Sequence, residues 1–171
     1  EKSGEVSGLL RVRSITQDHT HHFVRHDQIE SEIEMVLGMT MELYKTFGFE
    51  KFKAQISVRD PKHPEKYFGD DKLWSTAEKT LVSCVKKWGH EYAVEEGEAA
   101  FYGPKIDIMV EDTIGRKWQL TTVQLDFNQP ENFDMKYTAD DGKEHRPAVL
   151  HVAIFGSVER FMGILIEHFA G

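Results

Sequence analysis

Val149-Leu150-His151-Val152-Ala153-Ile154-Phe155-Gly156-Ser157-Val158-Glu159-Arg160-Phe161 carries two periodicities in thirteen residues. Residues 149–155 form a β-rich apolar run. After Gly156-Ser157 the spacing changes, and Val158, Phe161, Met162, Leu165 and Phe169 recur at helical intervals. The stretch therefore reads as strand, tight turn and closing helix. Gly156 permits the sharp turn, and Ser157 can cap the new helix. Arg160 falls in the first helical turn, where the helix dipole and a planar guanidinium both favour an anion. His151 lies on the strand just before, as a possible metal ligand.

Working outward, residues 9–24 read as strand, loop, strand. Residues 27–47 carry Ile29, Ile33, Val36, Thr40, Tyr44 and Phe47 at intervals of three and four, a helix ended by Gly48. Residues 51–58 alternate as a strand, and Pro61 and Pro64 mark a loop over 59–69. A second amphipathic helix spans 71–88, with Trp74, Ala77, Leu81, Val85 and Trp88 as its core stripe and Gly89 as its stop. Further strands are expected at 91–95, 106–110, 117–127 and 133–137, with turns at Gly103-Pro104, Gly115 and Asp140-Asp141-Gly142. Short turns between strands predict an α+β fold, a mostly antiparallel sheet flanked by helices, as one domain over residues 1–171.

Twenty-nine acidic residues against 21 Lys and Arg leave a net charge of −8, which predicts weak nucleic-acid binding by this chain alone. The single cysteine, Cys84, excludes an internal disulfide and fits a reducing, cytoplasmic setting. No apolar run is long enough for a membrane span. The chain opens on Glu1 without an initiating Met, which suggests a fragment.

His19 and His21 are two apart, so on a strand they share a face, while His22 points the other way. With His151 they could form an open three-imidazole zinc site, or simply be solvated loop histidines. Arg160 could hold an anion or pair with Glu159 or Asp126. Phe101-Tyr102-Gly103-Pro104-Lys105 could serve a pocket or be only a turn.

The stretches SGLLRVRSITQD, EKYFGDDKLWSTAEKTL, AAFYGPKIDIMVEDTIGRKWQ, TVQLDF and HVAIFGSVERFMGILIEHFAG together resemble the catalytic core of class II aminoacyl-tRNA synthetases, and among them the threonyl-tRNA synthetase family. The resemblance runs from end to end. It implies ATP with magnesium and zinc as cofactors, and threonine, ATP and tRNA as partners. By resemblance Arg160 and Arg11 contact nucleotide phosphates, with Lys105 beside them as catalytic residues. Glu1, Arg11, Gln119 and Arg160 bind the nucleotide. Tyr102, Gln124 and His19 face the amino acid. His21 and His151 are zinc ligands, with His19 as a candidate third. A zinc ion with an open position can take the amine and hydroxyl of threonine and reject valine, whose methyl cannot ligate.

Several family residues are changed or missing. The usual Cys ligand and the dimer-building first motif would precede residue 1, which leaves the oligomeric state doubtful. The family's TQDDAH stands here as Thr16-Gln17-Asp18-His19-Thr20-His21, Q-C-(G/A)-T as Gln119-Leu120-Thr121-Thr122, and H-R-A as His151-Val152-Ala153. These changes lie in pocket stretches. They predict impaired activity in the isolated chain, or alternatively an engineered, de novo designed scaffold binding a metal or small ligand.

Overall fold

The computed structural model describes residues 4–170. Its main sheet has six strands in the order β1-β8-β5-β4-β2-β3: β1 (Thr20–Val24), β2 (Phe52–Val58), β3 (Tyr92–Glu96), β4 (Lys105–Glu111), β5 (Lys117–Asp126) and β8 (Ala148–Ala153). A two-stranded ribbon, β6 (Tyr137–Thr138) and β7 (Glu144–His145), stands apart. The helices are α1 (Ile29–Phe47), α2 (Asp71–Trp88), the short α3 (Asn128–Asn132) and α4 (Val158–Phe169).

The α+β architecture agrees with the pattern in the sequence. Ile106, Ile108 and Val110 of β4, Val123 and Leu125 of β5, and Leu150 and Val152 of β8 form one apolar cluster with Ile33, Leu37 and Tyr44 of α1, Trp74 and Leu81 of α2, and Phe161 and Ile164 of α4. Asp70 caps α2 by accepting the Leu73 amide at 2.8 Å, and Ser157 caps α4 by accepting the Arg160 amide at 3.3 Å.

Three expectations are corrected. Residues 9–19 hold no strand. A tight reversal joins Ser7 and Arg11, and Gln17 bridges Ser157, because two carboxylates organise this segment instead of a ladder. Asp18 accepts the amides of Ile154, Phe155 and Gly156 at 2.8, 2.9 and 3.1 Å, and Glu159 accepts the Thr16 amide at 3.0 Å. The α1 region begins with a 3-10 turn, His26–Gln28, before Ile29. At 133–137 no strand of that length forms. The amides of Phe133, Asp134 and Met135 instead turn back to the carbonyls of Gln129, Glu131 and Pro130 in α3, whose first two amides, Asn128 and Gln129, are accepted by Asp126 at 2.7 and 2.9 Å. The sheet is mostly antiparallel, as expected, and its one parallel pair among the described residues, β2 with β3, is joined by the α2 crossover.

One irregularity matters for function. Asp107 pairs with Thr122 and Met109 with Gln119, so Leu120 and Thr121 both oppose Ile108. This β-bulge adds one residue to β5 and re-aims the side chains beside it. The turn after β8 packs on the bulge. Gly156 has φ +68°, and a Cβ there would land on the carbonyl oxygen of Leu120. Gly38, by contrast, sits inside α1 with nothing near a would-be Cβ.

Gly156→Ala is expected to lower unfolding free energy by about 3 kcal/mol or more, while Gly38→Ala should raise it by up to about 1 kcal/mol. Urea melts followed by circular dichroism measure both. An unchanged midpoint for Gly156→Ala would contradict the close approach.

Candidate active site

The sheet face away from the helices carries the site. Register places His21 opposite His151, His151 opposite Gln124, and Gln124 opposite Lys105, one row across four strands. Directly opposed residues share a face, so the row points to one side. A neighbouring row holds Ala153, Thr122 and Asp107. A cleft of about 440 Å³ opens over both rows, lined among others by Gln17, His19, Tyr102, Lys105, Gln119 and Arg160.

At one end the three imidazoles converge. Ligand nitrogens of His19, His21 and His151 all lie within 4.8 Å of one another. His19 Nε2 and His151 Nδ1 are 3.1 Å apart, and the His19 and His21 rings stack at 4.7 Å. His151 Nε2 meets Asp126 Oδ2 at 2.8 Å. Burial alone would push the Asp126 carboxyl up. The hydrogen bonds from His151 and the Gln129 and Asn128 amides outweigh it and hold the carboxyl below its ordinary value. Burial, followed by the charges of His21 and His151, lowers His19, which favours neutral imidazole. An aspartate behind one nitrogen leaves the other aimed at the cluster, the usual carboxylate–histidine support of a metal ligand. The donor set fits a divalent metal.

Arg160 occupies the other end. Its Nε donates to Leu10 O at 2.9 Å and its Nη1 to Gln119 O at 3.0 Å, and its guanidinium lies 5.4 Å from the centre of the Trp118 ring. Burial, then the charge of Arg11, lower its guanidinium from the ordinary value. Neither suggested carboxylate pairs with it: Glu159 binds the Thr16 amide and Asp126 binds His151. The backbone cradle expected beside it is already filled. Asp18 takes the three amides before the helix, and Glu159 stands in the first turn. The group left to face the cleft at this end is thus the guanidinium, since the neighbouring amides are already engaged.

Between these ends, Tyr102 Oη donates to Gln124 Oε1 at 3.2 Å, which leaves the Gln124 amide nitrogen as a donor toward the cleft. Arg11 is exposed, does not line the cleft, and reaches Arg160 only through charge. Glu1 lies outside the described residues. Cys84 is buried beneath α1, its thiol pushed up to about 11 by burial, and is remote from the histidines.

Sequence reasoning passed over three residues. Asp18 ties the 16–19 segment to the strand–helix turn. Asp107 and Thr122 form the cleft floor beneath Lys105 and Gln119. The alternation of Lys105 and Asp107 put both on one face. The bulge that brings Gln119 and Thr122 to the same carboxylate has no sequence signature.

The Glu159 carboxyl, held by the Thr16 amide, its own backbone amide and the Thr16 and Ser157 side chains, falls from 4.5 to about 2. A lowered folded value means its contribution to stability is present above 4.5 and is lost as pH falls toward 2. Urea midpoints taken across that window should fall less steeply for Glu159→Gln than for the wild type. Equal slopes would remove the ionic role of Glu159.

The comparisons with known proteins agree with one another. Residues 1–169 match the tRNA synthetase class II core domain (G, H, P, S and T). The chain is 52% identical over its whole length to the threonine–tRNA ligase of Deinococcus radiodurans and 53% identical to that of Nitrosococcus oceani, spanning 26% of each. Among solved structures, the RNA binding domain of threonyl-tRNA synthetase from Cryptosporidium parvum Iowa II superposes with a TM-score of 0.90 at 38% identity, over 100% of this chain and 42% of that one. Apo S. aureus histidyl-tRNA synthetase shares the fold alone, at a TM-score of 0.60 and 18% identity over 91% of this chain and 41% of that one. The engineered-scaffold alternative gains no support from these matches. Among the described residues no helix is long and apolar enough to cross a membrane. By sequence match over its whole length, the chain belongs to the class II tRNA synthetase core-domain family (G, H, P, S and T), as a stretch corresponding to about a quarter of the threonyl members it resembles.

Proposed function

We propose that this chain supplies the floor of a threonine–tRNA ligase active site. In the reaction the carboxylate of threonine attacks the α-phosphorus of ATP, pyrophosphate leaves, and the threonyl-adenylate passes its acyl group to tRNA. The observation that carries the reading is the cleft itself: a histidine cluster at one end, a fixed guanidinium at the other, and Gln124 and Lys105 in register between them. Arg160, locked by two backbone carbonyls, meets the charge that builds on the α-phosphate without having to reorganise. Its fork cannot be reproduced by lysine. Lys105 adds a second cation near the centre of the cleft. Tyr102 fixes Gln124, whose amide can then orient the amino acid.

At the histidine end, His21, His151 and His19 would hold zinc, which when bound supplies open coordination for the amine and hydroxyl of threonine. Asp126 orients His151 for that role. Magnesium would travel with ATP.

Two experiments test this reading. A threonyl-sulfamoyl-adenosine ligand, which mimics the adenylate, should bind the isolated chain in isothermal titration calorimetry. Arg160→Ala should weaken that binding by roughly tenfold to a hundredfold, in line with loss of a charge-assisted pair. No binding, or binding indifferent to Arg160→Ala, overturns the proposal. Threonine-dependent pyrophosphate exchange by the chain alone is expected to be undetectable.

The second concerns zinc. Elemental analysis after exhaustive dialysis should find zinc retained, and Asp126→Asn should lower zinc affinity by about ten- to a hundredfold. If added zinc shifts neither thermal stability nor the histidine resonances, the metal assignment fails.

A further inference from the structure

The cleft floor contains a charged group that none of the roles above uses. Asp107 is 2% exposed, although it projects from β4 toward the cleft side of the sheet. Its Oδ1 accepts Gln119 Nε2 and Thr122 Oγ1, each at 2.7 Å, and its Oδ2 lies 2.7 Å from Lys105 Nζ. Gln119 Nε2 also donates to Thr122 Oγ1 at 2.8 Å. The two β5 partners are three residues apart, so in a regular strand they would face opposite sides. The bulge at Leu120-Thr121 turns both toward the same carboxylate. The Asp107 side chain thus gathers two β5 side chains and the Lys105 ammonium beneath the cleft.

A buried carboxylate is costly unless it is paired and hydrogen-bonded. Here every partner is a lining residue of the cleft. An apolar residue at 107 would fill the same floor at lower desolvation cost, so the charge serves the arrangement of its partners. The Lys105 ammonium has three protons. Asp107 takes one direction and leaves the others toward the cleft. Gln119 is held by its side chain on Asp107 while its carbonyl receives Arg160 Nη1, so the same residue links the carboxylate to the guanidinium at the far end.

We propose that Asp107 is a positioning residue of the cleft, fixing Lys105 so that it presents its ammonium to an anionic group of the bound adenylate. The ligand part of this inference rests on the function proposed above. The positioning part does not.

The test has two arms. Without ligand, Asp107→Asn should move the Gln119 side-chain amide signals and the Lys105 ε-carbon signal in NMR spectra of the folded protein. Unmoved signals overturn the positioning role whatever the protein binds. With threonyl-sulfamoyl-adenosine, Asp107→Asn should weaken binding by roughly tenfold to a hundredfold. The same substitution made on top of Lys105→Met should cost less than about twofold more, because the carboxylate acts through the lysine. A purely structural role predicts the same loss in both backgrounds, and that result would overturn the proposal. Thr122→Val keeps Asp107 charged and removes one donor. It serves if Asp107→Asn does not fold, with a several-fold loss expected in wild type and none on Lys105→Met. If the wild type does not bind the ligand, the proposed function fails, and the NMR arm alone judges Asp107.

Discussion

Everything in the cleft depends on one antiparallel register. With His21 opposite His151, His151 opposite Gln124 and Gln124 opposite Lys105, side chains from four strands become neighbours on one face. The alternating residues on the other face, such as Leu150, Leu125 and Ile106, are core. A slip of one residue would exchange the two sets, burying imidazoles and a lysine against Trp74 and Ile33. The apolar cluster thus enforces the polar row. The cost of burying charged groups in the wrong register is a large part of what specifies the site.

Two local departures from regularity complete this frame. The bulge in β5 turns Gln119 and Thr122 to a common carboxylate and exposes the Gln119 carbonyl to Arg160. The turn at Gly156 fits against the bulge only because it lacks a Cβ. Asp18 then fills the amides of that turn. Asp18 and Arg160 thereby engage backbone amides and carbonyls that border the cleft. What the cleft offers is therefore mainly side-chain chemistry: imidazoles, amides, an ammonium and a guanidinium.

Much of the fold was legible in the sequence because its signals were local. Helix α2 starts where Asp70 can cap and stops at Gly89, with a clear apolar stripe between. Strand β8 and helix α4 were readable from the change in period at Gly156. The unread features come from partners distant in sequence. Residues 9–19 look strand-like but are held by Asp18 and Glu159 against amides on either side of a long sequence separation. The parallel pairing of β2 and β3 is set by the α2 crossover rather than by strand composition. Asp126 accepts the first two amides of α3, and the same carboxylate supports His151. The histidine cluster was inferred from the spacing of His19 and His21 plus family resemblance. Asp107 was hidden because burial and the bulge are not written in any short motif.

The pairing of β1 with β8 has a kinetic side. His19 and His151 are separated by 132 positions, and among the described residues β1 pairs with β8 alone. Closing so long a loop costs entropy before any contact compensates it, although that cost grows only slowly with length. An edge strand with a single neighbour is also among the first to fray in the native state. A ligand that bridges His19, His21 and His151 would act as a bolt between β1 and β8, and amide exchange along Thr20–Val24 would slow when it is present.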